Sequence, residues 1–425
     1  MGVGGDNVHA NDRRRFMRNA ALAVLAGTRL AGASARRAHV IVAGGGFAGA
    51  TCALQLRQLE PAIDVTLVDP EDHYVTCPMS DAALVGWRSM QSLTVSRAGL
   101  ARAGVRCVRD RVVSIDAQSR RVRLASSKNL ACDRLVVAPG IRFLWDRLEG
   151  YGEAQSQRMP HAWRAGPQTD LLAAQLRAID DGAVFAICVP PGLMRCPPAP
   201  FERASVVAAW LKQHKPHSKV LIFDANNRFP RQESFTAAWK QLYGDRIEWI
   251  PVTEGGAVER VDVRASTLYT SSGAHRVAVA NVIPPQAPGA FALDAALASG
   301  HGWCPVDPMT FESTLVPHVH VIGDACIADA MPKAASSALS QAQQCAAAIV
   351  AHFADRVPPT PAFDSVCYSA LAQDRSLAIH ARFRVDGGHI VAESAPSEPA
   401  PAISAAERDA AIAWYRSIRH SAFGA

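Results

Sequence analysis

Apolar and polar positions along the chain alternate between short, continuously apolar runs and longer amphipathic ones, the pattern of buried parallel strands joined by helices. The run from Ala38 to Leu59, "AHVIVAGGGFAGATCALQLRQL", reads as strand, glycine turn and helix. A second strand, "DVTLVD", ends at Asp69. Strands continue at "VRCVRDRVVSID" and at "ACDRLVVAPG", Ala131 to Gly140. A second unit begins with the strand "GAVFAICVPP", followed by a helix through "ASVVAAWLKQH" and the strand "SKVLIFDAN". The segment "HVHVIGDACIADAMPKAASSALSQAQQCAAAIVAHF" is a strand ending at Gly323 and Asp324, which feeds a helix rich in small residues. Beyond Pro361 the pattern predicts strands near "RSLAIHARFRV" and a final helix ending in "AAIAWYRSIRH". The run "ESAPSEPAPAIS" between them reads as a linker or loop.

The expected fold class is α/β, with two Rossmann-like domains and a C-terminal α+β interface domain. The boundaries expected are 36–154 and 286–360 for an interrupted first domain, 155–285 for a second, and 361–425 for the third. Length is in keeping with this division, since 425 residues can bury two or three cores.

Gly44, Gly46 and Gly49 satisfy G-x-G-x-x-G in the first turn, with Gly45 between them. Such a turn lets a pyrophosphate approach the backbone and a helix pack closely on a strand. Asp69 follows at the distance expected of an acid that holds a ribose hydroxyl. The corresponding loop of the second unit, "VPPGLMRCPPAPFER", has one glycine among prolines. Proline removes the N–H groups that would hold a pyrophosphate and fixes φ. The second unit is therefore expected to have lost a pyridine nucleotide, so its electrons come from another donor.

Composition excludes several classes. Hydrophobic residues make up 49% and charged residues 19%, ordinary for a globular enzyme. No apolar run is long enough for a transmembrane segment. The formal charge is +6, but residues 1–35 carry five arginines against two aspartates. The remainder is too weakly basic for a nucleic-acid footprint. Residues 1–35 read as a secretory signal: basic "DRRRFMR", a short weakly apolar stretch and the small-residue site Ala33-Ser34-Ala35. Arg13 and Arg14 followed by Phe16 resemble the twin-arginine type, which implies a periplasmic destination. Ten cysteines in an exported chain permit disulfides, but no C-x-x-C or C-x-x-C-H occurs, so any c-type haem is external. No metal site is expected.

The stretches "GGGFAGAT", "YVTCPMSD", "MPHAWRAGPQT", "RCPPAPFERAS", "GWCPVDPMTFES", "VIGDACIADAMPKAA" and "VCYSALAQDRSLAI" together carry a resemblance. The chain resembles the flavin subunit of flavocytochrome c sulfide dehydrogenase, including its relative in the periplasmic sulfur-oxidising system. The resemblance spans nearly the whole chain after residue 35. It implies FAD joined through a thioether between Cys77 and the flavin 8α carbon. It implies a redox-active disulfide between Cys196 and Cys367 beside the flavin, attacked by hydrosulfide to give a persulfide on one of the two; a purely structural disulfide is the alternative. Glu202 matches a glutamate that could shuttle the proton, or serves as the first-turn dipole partner of its helix. Gly323 and Asp324 match the second FAD contact. Lys333 is expected near the flavin pyrimidine, and Trp163 is a packing residue or cofactor contact.

The activity so implied is sulfide oxidation, with electrons passed to a separate c-type cytochrome subunit. Sulfide:quinone oxidoreductase is one alternative, an accessory flavoprotein that reactivates a sulfur-oxidising complex another. Two departures stand out: Asp81 replaces the usual Asn, and "LAQDRS" replaces a tyrosine-glycine stretch. Cys52 lacks the partner of a C-x-x-x-x-C pair, because position 57 is Arg57. Cys107, Cys132 and Cys188 are expected in the core, and Cys304, Cys326 and Cys345 in structural roles.

Overall fold

In the computed structural model, described for residues 36–116, 118–298, 302–393 and 404–424, the first apolar run forms β1 (His39–Ala43) and α1 (Phe47–Leu59). β2 (Asp64–Asp69), β3 (Arg106–Arg109) and β4 (Arg134–Val137) follow. β1 pairs in parallel with β2 and β4, Val40 facing both Val65 and Arg134. Both faces of β1 are covered, which explains why its sequence is apolar rather than alternating. The predicted strand "VRCVRDRVVSID" is divided: Asp110 and Arg111 leave the sheet, and Val112–Asp116 joins a separate antiparallel one.

The second unit opens with α2 (Pro167–Ala178), then β5 (Val184–Val189), α3 (Ala199–His214), β6 (Lys219–Asp224), β7 (Ile247–Ile250) and β8 (Val279–Val282). Its four strands are parallel, in the order β7-β6-β5-β8. The chain then returns: β9 (Val319–Val321) pairs in parallel with β4 and completes a five-stranded sheet, β9-β4-β1-β2-β3. The helix rich in small residues is α4 (Ala335–Phe353), packed on α1, where alanines permit close approach.

The C-terminal region is a three-stranded antiparallel sheet of β10 (Ala362–Ala372), β11 (Arg375–Asp386) and β12 (His389–Ala392), followed by α5 (Ala405–Phe423). "LAQDRS" spans the end of β10, the turn at Gln373 and Asp374, and the start of β11. α5 is N-capped by Ser404, whose hydroxyl accepts from Glu407 N at 3.3 Å. Its apolar face, including Tyr415, Ile418 and Phe423, is buried in the core of the first unit. No described helix is long and apolar enough to cross a membrane. The expected export signal at 1–35, and most of the expected linker, lie outside the described residues.

Cysteine placement corrects one expectation. Cys107 is exposed, because β3 is the edge of its sheet. Cys52, Cys132, Cys188, Cys304, Cys326 and Cys345 are buried.

Candidate active site

The carboxyl ends of β1, β2 and β4 open onto a cavity of about 1090 Å³. It is lined at one end by Gly44, Gly45, Gly46 and Asp69, and elsewhere by Cys77, Cys196, Glu202, Gly323, Asp324 and Cys367. This is the crevice at which doubly wound sheets take ligands. Residues distant in sequence thus converge because the loop after β5 and the strand β10 both reach over the first sheet.

The glycine turn is built for close approach. Gly44 has φ +102°, and a Cβ there would lie 2.2 Å from the Ala138 carbonyl oxygen. Gly49 does not line the cavity; a Cβ on it would strike the Gly44 carbonyl at 1.9 Å, so it serves helix packing as expected. Asp69 accepts from Gly45 N at 2.6 Å and pairs with Arg97 at 3.0 Å. Arg97 also donates to the Gly45 carbonyl, knitting acid and turn together. α1 has no side-chain cap, which leaves its first N–H groups toward the cavity. Residues and cavity fit FAD: Asp69 would hold its adenosine ribose and the Gly44–Gly46 turn its pyrophosphate.

At the other end stand the thiols. Cys196 has φ 53°, a left-handed conformation that a non-glycine residue holds only at a cost of about 1–3 kcal/mol. It is fixed there by its N–H, which donates to the Lys333 carbonyl at 2.6 Å, and by its carbonyl, which accepts from Ala199 N at 2.9 Å. Cys367 lies in β10, with Ser336 Oγ at 3.5 Å. Both are free thiols in this structure. Burial pushes the Cys196 thiol well up, with Cys367 and Glu202 adding to it. Burial pushes Cys367 up to about 11, against the Ser336 hydrogen bond.

Glu202 sits in the first turn of α3 and faces the cavity. Its Oε1 accepts from Ala370 N at 3.1 Å, tying α3 to β10. Burial, then the Asp81 carboxylate, push it up to about 8. Asp81 itself is buried and paired with Arg203 at 2.8 Å. The departure at position 81 is thus matched by a buried cation.

Lys333 departs from expectation. Its side chain does not line the cavity: Nζ donates to the Asp324 and Cys326 carbonyls at 2.8 and 2.9 Å and lies 3.8 Å from the Trp303 ring. It supports Cys196 through its backbone instead. Arg111, Arg164, Arg195 and Arg203 line the cavity, and for Arg195 the sequence offered no signal beyond adjacency to Cys196. Burial opposes the Arg195 charge, but Cys77, Asp324, Tyr74 and Cys196 outweigh it and hold the group above its usual value. Burial raises Asp324, against Arg195 and Lys333. His161, also at the cavity, is held neutral, pushed down to about 3 by burial and then by Arg164, Arg203 and Arg195. Trp163 both packs and lines the cavity.

In the second unit, Asp224 ends β6 where a nucleotide ribose would be held. It already accepts from Asn226 Nδ2 at 2.8 Å and Trp249 Nε1 at 3.0 Å. With prolines at 190, 191, 197 and 198, the loop above it is poor in donors.

This architecture places the chain among FAD-binding oxidoreductases of two-dinucleotide-domain design, and residues 38–162 match the pyridine nucleotide-disulphide oxidoreductase family. More narrowly, the chain belongs to the flavoprotein chains of flavocytochrome c sulfide dehydrogenase. Residues 169–284 match the central part of that family, and 359–423 match its flavin-binding part. The flavoprotein chain of sulfide dehydrogenase from Chlorobaculum thiosulfatiphilum is 58% identical over 44 residues, 10% of this chain and 92% of that sequence. The sulfide-quinone reductase of Aquifex aeolicus is 30% identical over 108 residues, a quarter (25%) of each chain. The solved structure of the sulfide:quinone oxidoreductase from Aquifex aeolicus superposes with a TM-score of 0.72 at 16% identity, covering 91% of this chain and 93% of that one.

Proposed function

We propose that this chain is an exported, periplasmic flavoprotein that oxidises sulfide through Cys196 and Cys367 and passes electrons to a separate c-type cytochrome subunit. The observation that carries the reading is that both cysteines open onto the cavity that begins at the glycine turn. In their oxidised form, hydrosulfide attacks one sulfur, giving a persulfide on that cysteine and freeing the other as a thiolate. Burial makes that thiolate a poor resting charge, which favours its discharge. FAD bound here would accept the electron pair and return electrons singly. Cys77 is the residue that would carry it covalently. Glu202, protonated at neutral pH, is placed to exchange a proton with the sulfur.

The C-terminal helix supports a cytochrome over a membrane quinone as acceptor, because its apolar face is already spent on the core. A haem outside this chain is consistent with the lack of C-x-x-C-H. The test is anaerobic addition of sulfide to the full protein with a c-type cytochrome or with a soluble quinone. Reduction of the cytochrome supports the reading; reduction of quinone only would replace it with a sulfide:quinone oxidoreductase. Oxidised flavin unchanged by sulfide would favour the accessory role.

A further inference from the structure

Cys77 and Arg195 converge on one oxygen. The Trp163 carbonyl accepts from Cys77 Sγ at 3.9 Å and also from Arg195 Nη2. Arg164 follows Trp163 in the chain and lines the same cavity, its Nη2 donating to the Ile141 carbonyl at 3.0 Å. The shared carbonyl is itself held rigidly. Ala162 before it has φ 43°, Trp163 N donates to His161 Nδ1 at 2.9 Å, and Arg203 donates to the Ala162 carbonyl at 2.9 Å. A thiol in a loop thus shares one fixed carbonyl with a half-buried guanidinium, and a second guanidinium lines the same cavity.

We propose that Arg195, supported by Arg164, activates Cys77 as the nucleophile that attaches the flavin. The inference rests on the reading of Cys77 as the attachment residue and adds how attachment is driven. A thiolate is the nucleophile, and a neighbouring cation favours the charged form of a sulfur. In the step, the Cys77 S–H loses its proton, and sulfur bonds to the flavin 8α carbon. One 8α C–H bond breaks, its proton leaves, and its electron pair stays on the ring. The ring is thereby reduced by two electrons, which dioxygen then removes as hydrogen peroxide. Tyr74 and Asp324 face Arg195 as well. The guanidinium is therefore shared between holding the site and activating the thiol.

The experiment compares full-length wild type, Arg195→Met, Arg195→Lys, Arg164→Met and Cys77→Ser, each incubated aerobically with excess FAD. Covalent flavin is followed over time by intact mass and by colour that stays with acid-precipitated protein. Cys77 alkylation by iodoacetamide is followed by peptide mass in the flavin-free fraction. Arg195→Met should attach flavin roughly tenfold more slowly or worse, with Cys77 alkylation slowed in step. Arg164→Met should show a smaller loss, and Arg195→Lys should stay within a few-fold of wild type. Wild-type rates of attachment and alkylation in Arg195→Met would overturn the inference and leave the Cys77 reading standing. If Arg195→Met takes up no flavin, its alkylation rate decides in the same way. Flavin that washes off wild type as readily as off Cys77→Ser would overturn the Cys77 reading, and the inference with it.

Discussion

Glu202→Gln removes one half-buried, titrating carboxyl while keeping the oxygen that accepts from Ala370 N. In the wild type this carboxyl is pushed from 4.5 up to about 8, by burial first and Asp81 second. Because the folded value lies above the unfolded one, the native state binds the proton more tightly. The resulting stability is fully present below pH 4.5 and is lost as pH rises through about 8. At about 1.4 kcal/mol per pH unit the whole interval would amount to about 5 kcal/mol. Glu202 faces a cavity open to solvent, and screening there reduces this to about 2–3 kcal/mol. With an unfolding entropy of roughly 2 cal/mol/K per residue, that corresponds to about 3 °C in Tm for a chain of this size. Thermal unfolding followed by tryptophan fluorescence at pH 5, 6, 7, 8 and 9 is the assay. The variant should gain on the wild type steadily with pH, the difference levelling off above pH 8. A difference that is constant across the range would refute the raised carboxyl. The same variant should lose whatever fall in sulfide-dependent flavin reduction the wild type shows near pH 8.

Two further substitutions test the scaffold. Gly44→Ala puts a methyl group 2.2 Å from the Ala138 carbonyl at φ +102°, so the turn must open; the purified protein should come out without bound FAD, read from its visible absorption spectrum. Arg203→Met leaves Asp81 buried without its cation and should cost about 3–5 kcal/mol in urea unfolding, while adding Asp81→Asn should recover a large part of that loss.

The cofactor half of the site was legible because its chemistry is local. A glycine turn must follow a strand and precede a helix, and Gly44, Gly46, Gly49 and Asp69 lie within one βαβ unit. The sulfur half was not local. Cys196 and Cys367 come from different units, and their expected partnership rested on resemblance; the structure brings them to one cavity through the loop after β5 and the strand β10. Arginine has no sequence signature for a cofactor role, which is why Arg97 and Arg195 were missed. For Lys333 the resemblance points to the flavin, but a buried ammonium needs partners, and the carbonyls of Asp324 and Cys326 supply them. Cys107 reads as core from its apolar neighbours, yet only the sheet order reveals that its strand is an edge.

The central claim is that electrons from sulfide pass through Cys196 and Cys367 before reaching the flavin. Anaerobic stopped-flow bleaching of the flavin absorbance by sulfide tests it most directly, in wild type, Cys196→Ser and Cys367→Ser, all loaded with FAD. Rapid bleaching in the wild type and a loss of at least a hundredfold in each variant is the result expected. Bleaching of both serine variants at the wild-type rate would contradict the claim, since sulfide would then reach the flavin without either sulfur.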